Sequence, residues 1–306
     1  VKASRKIKKA LVTGGAGFIG SHIAHGLLAK GIDTVVLDDL SAGSENNIPK
    51  NARFIHADIR DSEKLREAIS GCDTIFHLAA RIDLQKSILD PDDCLSVNVA
   101  GTEEVIREAC GVPGSKIIFA SSAAVYPLNP QAPLREGDAG PGDSPYAFSK
   151  RASEQSLDTF ARIAGHSAIS LRCFNIYGPG QRVDGGYAAV IPKFIALAKA
   201  GKSITINGSG KQTRDFIHVS DVVACYILAA QSEASDVFNV GTGEATSVLR
   251  LAELIRGFEG KSPLEFRPAN QGDASASLAD LSHLRAHLGF QHQVSLEKGL
   301  RELYAL

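Results

Sequence analysis

The stretch that most constrains this chain is Lys9-Ala10-Leu11-Val12-Thr13-Gly14-Gly15-Ala16-Gly17-Phe18-Ile19-Gly20-Ser21-His22. Ala10–Thr13 is a short apolar run, the composition of a buried strand. Glycines follow at 14, 15, 17 and 20, and an amphipathic segment then runs to Lys30, with Gly31 as its C-terminal cap. The order is strand, glycine turn, helix. It satisfies G-x-G-x-x-G through Gly15, Gly17 and Gly20, and G-x-x-G-x-x-G through Gly14, Gly17 and Gly20. Such glycines permit a tight turn, let backbone approach a pyrophosphate and let the helix pack close to the strand. The helix N-terminus then faces the negative charge. A glycine turn without a ligand has the same letters, so context decides. A second strand, Thr34–Leu37, ends in Asp38, about twenty residues on, where a dinucleotide fold places the acid that bonds ribose hydroxyls. A carboxylate there repels a 2′-phosphate and favours NAD over NADP. Asp is also a common turn residue at strand ends, and Asp39 is a second candidate for the ribose contact.

Length and charge narrow the field further. The chain has 306 residues, enough for one large domain or two lobes, and its 44% hydrophobic content suits a packed core. A net charge of −1 gives no electrostatic reason to expect nucleic acid or a membrane as partner. No apolar run approaches the ~18 residues of a membrane helix. The basic start, Val1–Lys6, lacks an apolar core and reads as a frayed end rather than a secretory leader. The five cysteines are scattered without C-x-x-C spacing, which predicts free thiols in a reducing, cytoplasmic setting and no metal site.

Taken in order, the pattern alternates. Arg53–Ala57 reads as a third strand and Asp61 as the cap of a helix over Lys64–Ile69. Asp73–Leu78 is a fourth strand that opens into Ala79-Ala80, small enough for a cofactor to lie against backbone. Asp90-Pro91 opens a long helix to about Ala109, carrying Asn98. Lys116–Ala120 is a fifth strand ending in Ser121-Ser122. Residues 126–145 hold five of the 12 prolines and read as loop. A helix begins at Pro145 and Ala168–Arg172 is a sixth strand. Beyond Tyr177–Gly180 the elements are shorter: helix 187–200, strand 203–206, helix 220–231, strand 236–240, helix 247–257. The expected fold is α/β, a Rossmann-type parallel sheet with helices on both faces plus a smaller mixed C-terminal lobe. The expected division is a dinucleotide-binding domain over 1–175, joined by pieces of 217–240, and a substrate lobe over 176–306.

Tyr146 and Lys150 are four apart, which puts both on one face of a helix. A neighbouring ammonium lowers the tyrosine pKa from about 10 and makes it a general acid/base near neutrality. Six tyrosines and many lysines also permit this spacing by chance. Ser121 and Ser122 end a strand, where ligands of parallel sheets bind. Either also suits a turn or helix cap.

At these residues the chain resembles the extended short-chain dehydrogenase/reductases, and within them the NAD-dependent sugar-nucleotide epimerases and dehydratases. The matching stretches are Thr13–Gly20, Asp58-Ile59, His77–Ala80, Asn98–Thr102, Ser121–Tyr126, Tyr146–Lys150, Arg172–Pro179 and Thr213–Val219. The set looks most like UDP-galactose and UDP-N-acetylglucosamine 4-epimerases. The resemblance implies that Gly14, Gly17, Phe18 and Ile19 hold the pyrophosphate, Asp38 and Asp39 the ribose, and Asp58 and Ile59 the adenine. Leu78, Ala79, Ala80, Asn98, Ser121 and Cys173 complete the cofactor channel. It implies Ser122, Tyr146 and Lys150 as the catalytic set, with Lys150 also on the nicotinamide ribose. Ser122, Asn175, Val190, Thr205, Asn207, Arg214, Asp273 and Ser277 are the implied UDP-sugar contacts, Arg214 pairing with phosphates as a guanidinium suits. A salt bridge to Asp215 or another neighbour is the other reading of Arg214. A homodimer is expected.

Two positions depart from the family pattern. The second phosphate-binding arginine of an Arg-x-Gly-Asp stretch is Asn270 here, with Arg267 a nearby substitute. The asparagine often met near Val-Ile-Pro in the galactose enzymes is Ala189, within Gly185–Pro192, which looks more like enzymes accepting N-acetylated sugars. Where dehydratases carry Asp-Glu beside the active-site Ser or Thr, and decarboxylases a glutamate, this chain has Ala123-Ala124. These cannot move protons, which favours simple oxidation and return of hydride, a 4-epimerisation. A net dehydrogenase and a non-catalytic NAD-binding scaffold are the alternatives. Ser277, small and four residues beyond Asp273, is expected to admit an N-acetyl group.

Overall fold

A computed structural model describes residues 5–128, 131–182, 189–258, 262–269 and 275–306. The first half alternates β1 (Lys9–Thr13), α1 (Phe18–Ala29), β2 (Asp33–Asp38), β3 (Arg53–His56), α2 (Ser62–Ile69), β4 (Thr74–His77), α3 (Leu84–Leu89), α4 (Pro91–Leu95), α5 (Gly101–Cys110), β5 (Lys116–Ser122), α6 (Pro145–Ala164) and β6 (Ser167–Cys173). The second half contains β7 (Asn175–Tyr177), α7 (Val190–Lys199), β8 (Ile204–Asn207), β9 (Thr213–His218), α8 (Val219–Gln231), β10 (Asp236–Val240), β11 (Ala245–Ser247), α9 (Val248–Arg256), β12 (Leu264–Arg267), β13 (Ala276–Ser277), α10 (Ser282–Leu288) and α11 (Leu296–Ala305).

Seven strands form one sheet in the order β10-β6-β5-β4-β1-β2-β3, every neighbouring pair parallel. All of β4, and β1 from Ala10 on, is buried, because helices cover both faces. On one face Ile23 and Leu27 of α1 share a core with Cys225 and Tyr226 of α8. On the other, Leu65 of α2, Val105 of α5 and Leu157 of α6 form a second core. The order reverses at β1, with β2 on one side and β4 on the other. This is the switch point outside which open α/β sheets bind ligands. A third core joins Phe194 of α7, Ile204 of β8, Leu251 of α9 and Leu300 of α11.

The chain returns to the first sheet late. β10 pairs with β6 and α8 packs on α1. Between these layers β9 pairs parallel with β7 and β13 and antiparallel with β11.

Local chemistry explains most boundaries. Asp61 accepts from Lys64 N and caps α2. Ser144 accepts from Ala147 N, Pro145 takes the first turn, and Gly165 at φ 67° ends α6. The helix expected over Asp90–Ala109 begins as read, with Asp90 capping α4 and Pro91 in its first turn, but it is not uniform. Ser96–Ala100 is a π turn between α4 and α5. Strand 203–206 lies one residue later, at Ile204–Asn207. Of helix 187–200, the described part opens at Val190.

Candidate active site

The glycine turn follows β1 at the switch point. Gly14 has φ 70°, and a Cβ there would stand 2.7 Å from Ala79 N; one on Gly20 would stand 2.2 Å from Gly14 O. Turn and helix are therefore as close to backbone as they can be. α1 has no side-chain cap and no acidic residue in its first turn, so no side chain of that turn offsets the positive end of the helix. At the end of β2, Asp38 Oδ2 accepts from Ala16 N at 2.9 Å and Oδ1 from Leu40 N at 2.8 Å. Each oxygen keeps a lone pair for a further donor. Burial raises its pKa, against the pull of those two amides. Asp39 is instead held below its ordinary value, since Ser41 and Arg81 outweigh burial. Asp58 is lowered chiefly by its bonds from Arg60. Gly14, Gly17, Phe18, Ile19, Asp38, Leu78, Ala79 and Ala80 lie in or beside the segments that leave β1, β2 and β4, where the ligand trough of an open α/β sheet runs, and Ile59 is buried. This donor set fits a dinucleotide.

A buried relay holds the trough wall. Thr13 Oγ1 accepts from Leu78 N at 3.2 Å and Ala79 N at 3.3 Å. Its proton therefore goes to His77 Nδ1, 2.8 Å away. His77 then carries its hydrogen on Nε2 and donates to Thr102 Oγ1 at 2.9 Å, and Thr102 donates to the carbonyl of Asn98 at 2.6 Å. Burial, with Lys150 nearby, brings the His77 pKa down to about 3, so the ring is neutral. Asn98, expected to line the channel, is buried in the π turn, and its side chain clamps the Arg81 backbone. Its Oδ1 accepts from Arg81 N at 2.7 Å and its Nδ2 donates to Arg81 O at 2.9 Å.

The chemistry-bearing side chains come from β5 and α6. Ser122 ends β5, its Oγ accepting from Ala124 N at 3.1 Å. Tyr146 and Lys150 lie one turn apart at the start of α6, with Lys150 Nζ 5.9 Å from the Tyr146 ring centroid. Nζ donates to Ala120 O at 2.8 Å. Burial lowers the Lys150 pKa to about 8, which leaves the ammonium charged at neutral pH beside the phenol. Ser121 faces the other way. Its hydroxyl donates to Glu154 Oε1 at 2.5 Å, and Glu154 takes two bonds from Arg172, each 2.8 Å. Cys173 is in register with Ser122, and its thiol sits 3.5 Å from Tyr226 OH. Burial pushes that thiol up to about 12, so it is inert as a nucleophile.

Among the residues expected to contact substrate, β9 places Arg214 opposite Ser277 of β13. Among the described residues no ion pair joins Arg214 to Asp215. Asp215 is fully buried and accepts from Thr242 N at 2.8 Å, Thr242 Oγ1 at 2.7 Å, Gly243 N at 2.9 Å and Ala279 N at 3.3 Å. Asn175 is on β7, in register with Phe216 of β9. Val190 opens α7. Thr205 and Asn207 lie on β8, where Asn207 pairs with Arg267 of β12. Arg267, the proposed stand-in arginine, contacts Glu265 at 3.0 Å. Asp273, Asn270 and residues 185–188 lie outside the described residues.

His77, Glu154 and Asp215 escaped the sequence reading. A signal existed for the first two: His77 is a polar residue inside an apolar strand, and Glu154 is four beyond Lys150 on the same helix face.

The sheet order, glycine turn and acidic end of β2 define a Rossmann-type α/β protein of the extended short-chain dehydrogenase/reductase kind. The chain belongs to the NAD dependent epimerase/dehydratase family, whose model matches residues 10–241. It is 36% identical over 299 residues to a putative UDP-glucose 4-epimerase of Methanocaldococcus jannaschii, covering 96% of each chain. A UDP-N-acetylglucosamine 4-epimerase from Methanobrevibacter ruminantium M1, solved in complex with UDP-N-acetylmuramic acid, superposes with a TM-score of 0.94 at 35% identity, covering 98% of each chain. A UDP-N-acetyl-alpha-D-glucosaminuronate decarboxylase of Bacillus cytotoxicus is 31% identical, covering 96% of each chain.

Proposed function

We propose that this chain is an NAD-dependent UDP-hexose 4-epimerase that acts on UDP-glucose and on UDP-N-acetylglucosamine. The observation that carries the reading is the combination of Ser122 at the exit of β5 with Tyr146 and Lys150 at the start of α6, followed by Ala123-Ala124 in the turn beyond Ser122. Neither alanine can supply the extra proton transfer that loss of water or carbon dioxide requires. Bound NAD supplies the hydride acceptor and donor. Tyr146, as phenolate, removes the proton of the sugar 4-OH as C4 is oxidised to a ketone. Ser122 hydrogen-bonds that oxygen, and the Lys150 ammonium stabilises the phenolate. Arg214 holds the diphosphate while the 4-keto sugar turns over. Tyr146 then returns the proton as C4 is reduced from the other face.

The small Ser277 beside Arg214 supports acceptance of the N-acetyl group. A homodimer belongs to the same proposal, supported by the exposed apolar residues Ile88 and Leu89 on α3 and Phe148 on α6; sedimentation tests it. A cytoplasmic setting is supported by the cysteines, all five free. The deciding experiment incubates the protein separately with UDP-glucose, UDP-N-acetylglucosamine and UDP-glucuronate and separates the products. The 4-epimers of the first two are expected. A pentose product, or turnover only in step with added NAD, overturns the assignment.

A further inference from the structure

Arg81 follows β4, whereas Asp39 and Ser41 follow β2. In the sheet β1 lies between those strands, so any tie between their exits crosses the exit of β1, which is the glycine turn. Such a tie exists. Arg81 Nη1 donates to Ser41 Oγ at 2.6 Å and lies 3.3 Å from Asp39 Oδ2. Its Nε donates to Asp93 Oδ2 on α4 at 3.0 Å. Both ends are anchored. The loop after β2 is fastened to the turn, since Ala16 O accepts from Ser44 N at 3.1 Å and Asn47 Nδ2 at 2.9 Å. The Arg81 backbone is gripped by Asn98 on both its N–H and its carbonyl. The guanidinium, between two anchored banks, spans the trough.

We propose that Arg81 is a retention latch, its guanidinium closing the trough over the glycine turn between Asp39–Ser41 and Asp93 and setting the rate at which bound NAD leaves. The inference rests on the NAD-dependent epimerase reading above, in which hydride is returned within one cycle and the cofactor has no need to exchange. The latch works by opening and reclosing. The Arg81 and Asp39 side chains are each 31% exposed and Asp93 46%, so water and salt reach the pairs and screen them.

The test measures release of NADH from holoprotein loaded with it, by loss of its fluorescence after mixing with excess NAD. Arg81→Gln is expected to speed release on the order of tenfold. Asp93→Asn, which alters no residue assigned to the cofactor, is expected to speed it in the same direction. The double variant should release no faster than Arg81→Gln alone, because both changes break one latch. Raising ionic strength from about 0.05 to about 0.5 M should speed release from the wild type and leave Arg81→Gln unmoved. Arg81→Lys, which keeps the charge, should restore part of the salt dependence and serves if Arg81→Gln fails to fold. Equal release from wild type and Arg81→Gln overturns the latch. So does Asp93→Asn releasing at the wild-type rate while Arg81→Gln is fast, which makes Arg81 a direct phosphate ligand. Holoprotein that cannot be loaded at all overturns the NAD reading itself, and is visible before any rate is taken.

Discussion

Lys150 carries a charge that its surroundings disfavour. It is 3% exposed, and burial brings its pKa down to about 8. As pH rises through that value the ammonium is lost and Tyr146 loses its support, so kcat/KM is expected to fall on the alkaline side with an apparent pKa of about 8. A profile still climbing past about pH 9 contradicts this. Tyr146→Phe is expected to lose roughly 10²–10⁴-fold in turnover with NAD binding nearly intact, measured by steady-state assay beside cofactor titration. His77 titrates with the opposite consequence for the fold. Its folded pKa is about 3, against about 6.5 unfolded. Between those values the unfolded chain binds the extra proton, so stability falls as pH drops through that window, by at most ~1.4 kcal/mol per pH unit. Urea titrations should find that His77→Gln loses less of its own stability from pH 6.5 to 4 than the wild type does. Tyr146, Lys150 and Ser122 were legible because their spacing and neighbours form local motifs. Thr13 and Thr102, the partners of His77, lie 64 and 25 residues away, and no local pattern announces them.

β9 is the element on which the proposed substrate side depends. Its Asp215 gathers the Thr242–Gly243 turn and Ala279 onto one carboxylate, and those contacts fix the strand register that brings Ser277 opposite Arg214. Asp215→Asn turns a donor toward backbone N–H groups and leaves at least one unsatisfied, a loss of ~1–3 kcal/mol. The expected result is UDP affinity weaker on the order of tenfold by calorimetry, with NAD binding unchanged. Equal loss of both ligands would instead mean general unfolding. Ser277→Tyr is expected to suppress the N-acetyl reaction selectively, because a ring added to a filled site costs on the order of 1–3 kcal/mol. An unchanged kcat/KM ratio for the two sugars removes Ser277 from the pocket. The major elements were legible from apolar runs and caps. β7, β11 and β13 have three, three and two residues, too short for any alternation to show. The π turn was hidden because apolar Val97 and Val99 continue the pattern of the flanking helices across it.

The whole molecule joins a parallel sheet to a smaller lobe through a chain that crosses between them more than once. A parallel sheet, read from six apolar runs, presents its strand exits to a dinucleotide. The chain then leaves through β7, starts the smaller lobe with Phe194 and Ile204, comes back through α8 and β10 to seal the sheet edge at β6, and completes the lobe's core with Leu251 and Leu300. The sheet was legible because burial on both faces demands continuous apolar strands. The smaller lobe was less so, since β9 alternates partners from three segments distant in sequence. Under the proposed 4-epimerase function the sugar turns over while the cofactor stays, so hydride leaves C4 and returns to C4. The direct measurement uses UDP-glucose deuterated at C4, with no added NAD, and reads the UDP-galactose formed by NMR. Full retention of deuterium at C4 is the predicted result. Loss of the label, or its transfer to an external NAD pool, contradicts the account.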